Sequence, residues 1–366
     1  MNKRILILVN HDIVIYNFRR ELVDALLKEE FEVFISSPYG SRIDYFIRKK
    51  CIFKEISINR HGLNPLEDLK LIKAYKKLIK EINPSYILTY TIKPNLYGAI
   101  ASRKTNSKVI ANITGLGSAV ENKGILQRLI ILMYKYAFSN IQIVFFQNKD
   151  NMDFFQKKKI ALGKHKLLPG SGVNLKEFQP LAYPEGKIIQ FVFISRIMKQ
   201  KGIDQYLETA KYIRKKYPFT RFHICGFCEE EYEDLINDYQ KKGIVIYHGL
   251  INDIRTILKY THCTIHPTYY PEGMSNVLLE SCASARPIIT TDRSGCKEIV
   301  EDGINGYVIK QKDTSSLIVA VEKFLKLSQK RKEQMGLTGR KKVEKEFNRE
   351  IVVNAYLQAI NIGESE

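Results

Sequence analysis

Short apolar segments alternate with amphipathic segments along the whole chain, in two rounds separated by one stretch rich in proline and glycine. Short apolar segments that are joined by helical segments pair in parallel, as the strands of βαβ units. The predicted strands are residues 5–9, 31–36, 86–89, 108–113 and 141–146 in the first round, and residues 188–194, 221–225, 244–248, 263–267, 288–291 and 306–309 in the second. The alternation therefore predicts an α/β protein with two doubly wound parallel sheets.

The stretch between the two rounds, residues 167–181, is the predicted linker between two domains. The length of 366 residues fits two domains of roughly 150 residues each. Residues 1–172 would form the N-terminal domain and residues 173–349 the C-terminal domain, while a final helix, 350–366, would pack back on the first. With two Rossmann-like domains in tandem, we expect the ligand in a cleft between them, beyond the carboxyl ends of the strands.

The charge of the chain is unevenly distributed. The whole chain has 58 basic and 39 acidic side chains, a formal net charge of +19. Residues 1–175 hold 29 basic and 14 acidic side chains, whereas residues 176–366 hold 29 and 25. A basic half attracts a polyanion, which can be nucleic acid, anionic lipid or a phosphorylated substrate. A lysine-rich cytosolic proteome would produce the same excess without such a partner.

The segment from His266 to Glu280 carries the most informative polar residues. A strand ends near its start, a short loop follows, and a helix begins, so its first N–H groups are predicted to bind an anion. Those N–H groups belong to Gly273, Met274, Ser275 and Asn276. Glu272 and Glu280 are about 12 Å apart along an ideal helix, farther than the roughly 5–9.5 Å of a hydrolytic carboxylate pair. They are therefore expected to contact the two ends of a long ligand, with a diphosphate between them.

A second anion site is predicted after the strand that ends at residue 194. Ser195 and Arg196 follow that strand, and Lys199, Lys201 and Gly202 come next. Arginine and lysine beyond a strand end, next to a glycine, suit a clamp on a diphosphate. A solvated basic surface would explain the same residues without a ligand.

Taken together in chain order, these motifs resemble the retaining glycosyltransferases of family 4, which have the GT-B fold. The motifs are Ser195-Arg196 with Lys201-Gly202, Cys225-Gly226, His248-Gly249, the Glu272 and Glu280 pair, Arg286-Pro287-Ile288-Ile289, and Glu298-Ile299-Val300 followed by Asp302-Gly303 and Asn305-Gly306. In the N-terminal half, residues 92–95 and 112–117 are similar to a bacterial subgroup that extends lipid-linked oligosaccharides for capsule, O-antigen or glycoprotein glycans.

The resemblance implies a role for each charged residue of the C-terminal half. Arg196 and Lys201 would neutralise the donor diphosphate, Glu280 would bind the ribose hydroxyls, and Glu272 would contact the transferred sugar. The amides of residues 273–276 would hold phosphate. The residues that would lie beside the base are Gly226 and Gly249. Because two cations and a helix terminus replace a metal ion, we expect no metal and no cofactor; the nucleotide-sugar, most simply a UDP-sugar, is a co-substrate.

The N-terminal half departs from the family pattern in two loops. Many relatives have a histidine after an N-domain strand, whereas here Thr114 or Gly115 occupies that place. The first loop, which is rich in glycine in many relatives, reads Asn10-His11-Asp12 instead. The candidates for acceptor contact or catalysis in this half, chosen from their positions in loops, are His11, Lys93, Asn112, Thr114 and Gly115.

One helical segment, residues 124–138, is unusually apolar. Burial in the core is one interpretation, and contact with an anionic membrane surface is the other. No apolar run approaches the roughly 18 residues of a membrane span, and five apolar residues before Asn10 are too few for a signal peptide. We therefore expect a cytoplasmic protein, peripheral at the inner face of the cytoplasmic membrane.

The resemblance implies a hexosyl- or N-acetylhexosaminyltransferase that moves a sugar, with retention, from a UDP-sugar to a hydroxyl of a polyprenyl diphosphate-linked saccharide. Two alternatives remain open at this stage. A GT-B nucleotide-sugar epimerase would use the same cleft. A nucleic-acid-binding protein would explain the charge, but the chain lacks a recognition motif and interleaved aromatic and basic residues.

Overall fold

A computed structural model describes residues 3–59, 64–117, 120 and 124–361, and it divides the chain into two compact units. Unit 1 comprises Met1–Ser171 and Arg349–Glu366, and unit 2 comprises Gly172–Asn348. The chain passes from unit 1 to unit 2 after Ser171 and returns to unit 1 after Asn348. Each of these boundaries lies one residue before the predicted one. Arg349 therefore belongs to unit 1 rather than to the predicted C-terminal domain.

Unit 1 is built on a parallel sheet of seven strands in the order β3-β2-β1-β4-β5-β6-β7. The strands are β1 Arg4–Leu8, β2 Glu32–Ser37, β3 Ile52–Glu55, β4 Tyr86–Tyr90, β5 Lys108–Ile113, β6 Ile143–Phe146 and β7 His165–Leu167. The sequence pattern predicted five of them and missed β3 and β7, the two edge strands. Neither is a continuous apolar run, because an edge strand is only partly covered by its neighbours.

The helices of unit 1 before the linker are α1 Asp12–Lys28, α2 Ile43–Arg48, α3 Pro65–Ile82, α4 Ala99–Ser102, α5 Ile125–Ala137 and α6 Lys149–Lys157. A π-helical turn, Pro94–Gly98, precedes α4. Local sequence explains where α3 begins and ends. The Asn64 side chain accepts a hydrogen bond from the Leu66 N–H at its start, Pro65 occupies the first turn, and Asn83 ends it in the left-handed conformation.

Unit 2 is built on a parallel sheet of six strands in the order β10-β9-β8-β11-β12-β13. The strands are β8 Ile189–Ile194, β9 Thr220–Cys225, β10 Ile246–Tyr247, β11 Cys263–His266, β12 Ile288–Thr291 and β13 Gly306–Ile309. The helices are α7 Ile203–Lys216, α8 Glu233–Lys241, α9 Arg255–Leu258, α10 Asn276–Ala283, α11 Thr314–Lys326 and α12 Gln329–Glu346. The sequence pattern predicted all six strands.

The last helix, α13 Arg349–Asn361, packs on the sheet of unit 1. Arg349 donates hydrogen bonds to the Asn17 carbonyl and the Glu21 carboxylate of α1, and the Tyr86 hydroxyl donates to the Ile360 carbonyl. None of the helices in the described ranges is both long enough and apolar enough for a bilayer crossing.

In both sheets the chain reverses its direction of strand addition beside the first strand. This switch point lies between β1 and β4 in unit 1 and between β8 and β11 in unit 2. Open α/β sheets bind ligands outside the carboxyl ends of their strands at such a point. The loops that follow these four strands are therefore the places to look for a site.

Candidate active site

Three residues predicted from separate motifs meet at the switch point of unit 2. Arg196 follows β8, Lys201 ends the short 3₁₀ turn Lys199–Lys201, and Glu272 lies in the loop after β11. The Lys201 ammonium pairs with the Glu272 carboxylate. The Arg196 guanidinium and the Lys201 ammonium lie 5.3 and 4.6 Å from the centre of the Tyr270 ring. The two predicted clamp cations and the first glutamate therefore form one cluster around Tyr270.

A glycine next to Lys201 brings these loops together. Gly202 has a φ of +81°, and a Cβ atom there would lie 2.2 Å from the Pro267 carbonyl oxygen. Beside it, the Tyr269 N–H donates to the Gln200 carbonyl at 2.9 Å. Only glycine allows the turn to approach the β11 loop this closely, and this approach holds Lys201 beside Glu272.

The ion pair at the centre of the cluster is largely shielded from water, with Lys201 9% and Glu272 16% exposed in their side chains. Burial acts to raise the pKa of Glu272, but Lys201 and His266 outweigh it and lower that pKa to about 2. Glu272 is therefore a carboxylate at neutral pH. Such a group can accept hydrogen bonds from sugar hydroxyls but cannot act as a general acid.

His266 is part of the site, although its sequence context predicted no role for it. It is the last residue of β11, it is buried, and its Nε2 lies 3.9 Å from Glu272 Oε1. Burial and the nearby Lys201 lower its pKa, despite the opposing effect of Glu272, so the ring is neutral at neutral pH. Its position at the end of a strand facing the switch point was the only available signal.

Arg196 is also paired with a carboxylate. Its Nη1 donates to Glu229 Oε2 at 2.5 Å. Burial acts to lower the pKa of Arg196, but Glu229 and Tyr270 outweigh it and raise the pKa. Glu229 follows β9 and was not among the predicted site residues, because no motif of the resemblance includes it.

At the start of α10, an N–H of the predicted phosphate cradle already has a partner within the protein. The Ser275 N–H donates to the Gly295 carbonyl at 2.8 Å and is therefore already used. Gly295 has a φ of +87°, and a Cβ atom there would lie 2.6 Å from the Gly273 carbonyl oxygen. Glu298 fixes this loop, since its carboxylate accepts from the Gly295 N–H at 2.7 Å. The predicted phosphate cradle consisted of the N–H groups of Gly273, Met274, Ser275 and Asn276. Of these, the Ser275 N–H is not available to a phosphate, because it donates to Gly295.

The two glutamates do not lie on one helix. Glu272 is in the loop, four residues before α10 begins, and Glu280 is in the second turn of α10. The separation of 12 Å expected for eight helical residues therefore does not apply. Glu280 is partly exposed, as a residue that contacts a ligand requires.

The two glycines predicted to lie beside the base have different surroundings. Gly226 has a φ of +147°, and a Cβ atom there would lie 1.8 Å from the Ser195 carbonyl oxygen. Its N–H donates to the Gly249 carbonyl at 2.8 Å. Gly249 has a φ of +64°, and a Cβ atom there would meet nothing within 4 Å. Gly226 is therefore required by the protein's own backbone, whereas open space beside Gly249 is available to a ligand.

In unit 1, His11 caps α1. Its Nδ1 accepts from the Ile13 N–H at 3.1 Å and lies 2.6 Å from Asp12 Oδ1. The other oxygen of Asp12 accepts from the Arg42 N–H at 3.3 Å. Asp12 thus joins the loop after β1 to the loop after β2, and His11 caps α1 beside it with a partly exposed side chain.

Asn112 was predicted to contact the acceptor or to take part in catalysis, and the structure corrects this assignment. The residue is fully buried. Its Nδ2 donates to the Tyr356 hydroxyl at 2.9 Å, and its Oδ1 accepts from Gln147 Nε2 at 3.3 Å. Its carbonyl accepts from Asn95 Nδ2 at 2.9 Å. Asn112 therefore joins β5 to α13 and leaves no polar atom for a ligand.

Lys93 lines a groove on unit 1 with a volume of about 440 Å³. Its ammonium is 2.9 Å from the Asp68 carboxylate, and both side chains are largely buried. The apolar residues of the groove are Ile56, Ile58, Leu71 and Ala74. Thr114 and Gly115 directly follow β5 and are partly exposed. Of the predicted N-domain residues, these three and His11 are partly exposed, so a ligand could reach them.

Over the residues that the structure describes, no three cysteine, histidine or carboxylate side chains are grouped so that they could hold a metal ion. All six cysteines are unpaired. The cations that the structure places in this cluster are Arg196 and Lys201.

Two sequence families match the chain. The family described as "Glycosyl transferases group 1" matches residues 174–342, and "Glycosyl transferase 4-like" matches residues 4–148.

Curated proteins also match the chain, over lengths that extend beyond the region of either family alone. An N,N'-diacetylbacillosaminyl-diphospho-undecaprenol alpha-1,3-N-acetylgalactosaminyltransferase of Campylobacter jejuni is 26% identical over 323 residues, covering 83% of this chain and 84% of the relative. A UDP-Gal:alpha-D-GlcNAc-diphosphoundecaprenol alpha-1,3-galactosyltransferase of Escherichia coli is 26% identical and covers 81% of each chain. The capsular polysaccharide biosynthesis glycosyltransferase CapM of Staphylococcus aureus is 25% identical, over 91% of this chain and 90% of the relative.

Solved structures share the fold at low sequence identity. A glycosyltransferase from Rickettsia africae superposes with a TM-score of 0.81 at 17% identity, covering 97% of each chain. Anabaena Alr3699/HepE in complex with UDP and glucose superposes with a TM-score of 0.79 at 13% identity, covering 98% of this chain and 99% of the other.

Proposed function

Because the chain belongs to the GT-B glycosyltransferases, with a group 1 domain in unit 2 and a 4-like domain in unit 1, we propose that it extends a lipid-linked saccharide. The donor is a UDP-sugar, and a hexosyl or N-acetylhexosaminyl group is transferred with retention. The acceptor is a hydroxyl of a saccharide on polyprenyl diphosphate, in the assembly of a bacterial surface polysaccharide. Both matching families are described as glycosyl transferases. They therefore favour a glycosyltransferase over an epimerase or a nucleic-acid-binding protein.

The observation that carries the proposal is the cluster of Arg196, Lys201 and Glu272 around Tyr270 at the switch point of unit 2. Two cations at one place suit a diphosphate, whose charge grows as the bond to the sugar breaks. Charged donors already in position stabilise that charge without a metal ion. Glu272 accepts from hydroxyls of the transferred sugar, Glu280 binds the ribose, and the base lies beside Gly249.

Retention follows if the donor assists its own reaction. The bond between the anomeric carbon and the diphosphate oxygen breaks, and the acceptor oxygen bonds to the same face of that carbon. The proton of the acceptor hydroxyl moves to the departing diphosphate oxygen. Arg196 and Lys201 lower the cost of the charge on that oxygen, so no protein nucleophile is needed.

The acceptor binds on unit 1. Relatives that cover more than four-fifths of the chain are named for undecaprenyl diphosphate-linked substrates. The groove lined by Lys93 combines an ion pair with apolar walls. Such a surface offers donors and acceptors to sugar hydroxyls and apolar contact to their C–H faces. Thr114 and Gly115 contribute from the loop after β5.

The site of membrane contact is α5. Its outer side chains Ile125, Leu129 and Leu132 are 87%, 52% and 62% exposed, and Tyr134 and Ala137 are its buried residues. Core burial therefore accounts for only one side of this helix. Arg128 and Lys135 are exposed on it, and residues 1–175 carry most of the net positive charge of the chain, with 29 basic and 14 acidic side chains. An exposed apolar stripe flanked by basic residues suits an anionic bilayer surface.

The enzymatic proposal is tested by incubating the purified protein with a panel of nucleotide-sugars and a short-chain polyprenyl diphosphate-linked N-acetylglucosamine. We expect release of UDP that depends on the acceptor, and a product extended by one sugar with the anomeric configuration of the donor. The same rate should be found in EDTA. Complete loss in EDTA that one divalent ion restores would contradict the metal-independent clamp, and an inverted product would contradict retention.

The membrane proposal is tested by co-sedimentation with neutral and anionic vesicles at low and high salt. We expect binding to anionic vesicles at low salt and its loss in Leu132→Asp. Leu250→Asp is the matched control, since Leu250 is 69% exposed in unit 2. Equal binding of the two variants would exclude α5 as the contact surface.

A further inference from the structure

Each cation of the predicted diphosphate clamp is paired with a carboxylate in the structure. Lys201 pairs with Glu272, which is part of the proposed sugar site. Arg196 pairs with Glu229, which has no part in the proposed function. The second pair therefore needs an explanation of its own, because a carboxylate beside an anion-binding arginine opposes the binding of the anion.

The backbone holds Glu229 beside Arg196. The Ile197 N–H donates to the Phe227 carbonyl at 2.9 Å, and the Glu229 N–H donates to the Ile197 carbonyl at 3.0 Å. These bonds join the loop after β8 to the loop after β9, as the isolated bridge between Ile197 and Cys228 also indicates. Glu229 can rotate its side chain, but the loop keeps its carboxylate within reach of Arg196.

The guanidinium is placed so that a ligand and Glu229 compete for it. Tyr270 lies 5.3 Å from it, and the Glu229 carboxylate accepts from Nη1. An arginine has five N–H donors, so a diphosphate can be bound by the remaining donors or can displace the carboxylate. In either arrangement the charge of Glu229 weakens the attraction. Arg196 and Glu229 are 35% and 32% exposed in their side chains, so water reduces this effect without removing it.

We propose that Glu229 is an internal counter-ion of Arg196 that competes with the donor diphosphate and so limits the affinity of the enzyme for UDP. The inference rests on the proposed function only in requiring that Arg196 meets a diphosphate. When UDP leaves after transfer, Glu229 neutralises Arg196 again. Glu229 thereby favours release of the product and reduces the binding of unrelated anions. It is a residue that sets donor affinity and does not react.

The neighbouring glutamate provides a matched control. Glu230 Oε2 accepts from the Lys199 N–H at 2.8 Å, and the structure gives it no ion pair with Arg196 or Lys201. Glu230→Gln removes the same charge one residue away, without freeing a clamp cation. Glu229→Asp keeps the charge and tests whether charge, rather than side-chain length, sets the affinity.

The experiment is a calorimetric titration of wild type, Glu229→Gln, Glu229→Asp and Glu230→Gln with UDP, and separately with inorganic pyrophosphate. We expect Glu229→Gln to bind both ligands about 5-fold more tightly at low salt, with a smaller gain at high salt. Glu230→Gln should change either affinity less than about 2-fold, because a surface charge has little effect at a distance. Glu229→Asp should resemble wild type. A purely structural role of Glu229 would not produce tighter binding.

If Glu229→Gln binds UDP and pyrophosphate no more tightly than wild type does, the inference is overturned. Glu229 would then be a residue that orients Arg196. The two ligands separate this failure from a failure of the proposed function. Binding of pyrophosphate without UDP would refute the UDP donor while still testing the counter-ion. If wild type binds neither ligand, Arg196 meets no diphosphate and the counter-ion proposal is wrong as well.

Discussion

The carboxyl edges of the two sheets share a topology but differ in chemistry. In unit 2, the switch point holds charged side chains that are shielded from water and paired, with Lys201 and Glu272 at the centre. In unit 1, polar side chains on and after β4 and β5 form a neutral hydrogen-bond network. The Thr89 hydroxyl donates to Asn95 Oδ1 at 2.7 Å, and Asn95 in turn donates to the Asn112 carbonyl.

This difference shows that topology positions a site without deciding what the site binds. Lys201 is shielded from water and Arg196 lies near it, and such cations attract an anion because low local polarity strengthens the interaction between charges. A satisfied neutral network has no donors or acceptors left for a ligand, so it stabilises the sheet. The groove beside Lys93 is one part of unit 1 that a ligand can reach, and there the charge of the lysine is balanced by Asp68.

The largest expected effect tests the charged edge. Lys201→Ala should lower kcat/KM by about 30- to 1000-fold, because a charge-assisted contact with the leaving diphosphate contributes roughly 2–4 kcal/mol. The decrease in kcat/KM for Arg196→Ala should lie in the lower part of that range, because Arg196 is more exposed to water than Lys201. UDP release at several donor concentrations measures the loss. The control is Lys342→Ala, because Lys342 is similarly shielded and is paired with Glu301 at 2.7 Å. A near-normal rate in Lys201→Ala would show that the two edges do not differ as argued.

The second prediction concerns acid stability in unit 2. Burial lowers the pKa of His262 to about 4, with help from Arg286 and Lys332. The folded state therefore holds His262 neutral. Protonation favours the unfolded state as the pH falls from about 6.5, the unfolded pKa, towards 4. The contribution of neutral His262 to the free energy of unfolding is therefore fully present above pH 6.5. It decreases as the pH falls below 6.5, and about 3 kcal/mol is lost at pH 4.

We expect His262→Asn to be less stable than wild type at pH 7.5 but to lose less stability on acidification. Calorimetric unfolding between pH 7.5 and 4.5 measures both quantities. Ile257→Val removes a buried methyl group of the same unit without changing a titratable group, so its pH dependence should match wild type. A parallel loss of stability in His262→Asn and wild type would exclude His262 as the source.

The sequence predicted most strands because burial on both faces makes them continuous apolar runs. It also predicted Arg196, Lys201 and Glu272 as site residues, because each stands in a motif within a loop region that follows a strand. It could not predict that Asn112 is satisfied internally, because its partner Tyr356 is 244 residues away. Glu229 and His266 were missed for a similar reason, since their importance lies in which charged atom they approach.

A motif that contributes to the family resemblance can also be structural. Arg286 was part of the set that carried the resemblance, yet it is fully buried and donates to the carbonyls of Leu181, Ala182 and Leu258. Burial lowers its pKa to about 10. It holds the segment after the linker against α9 and therefore contacts no ligand. Residue type and spacing alone do not separate such a residue from Arg196.

The third prediction tests the neutral edge of unit 1. Asn112→Ala should lower the free energy of unfolding by about 1–3 kcal/mol, because it leaves the buried Gln147 and Tyr356 groups with fewer partners. The affinity for UDP should not change, since the residue lies in unit 1 and is fully buried. Denaturant unfolding and calorimetry with UDP measure the two quantities. Loss of turnover at normal stability would restore the predicted ligand role of Asn112.

The smallest expected effect separates the clamp of unit 2 from the base site beside it. Gly249→Ala should cost about 1 kcal/mol, because an L-residue at a φ of +64° is strained although its Cβ meets nothing. Calorimetric unfolding should show this as a fall in Tm of roughly 2–4 °C. If the base packs beside Gly249, the variant should bind UDP several-fold more weakly and pyrophosphate as wild type does, since pyrophosphate lacks a base. Gly226→Ala is the contrasting variant, because its Cβ would lie 1.8 Å from the Ser195 carbonyl and should disturb the loop that carries Arg196. Weakened binding of pyrophosphate by Gly249→Ala would show that the clamp and the base site are not independent.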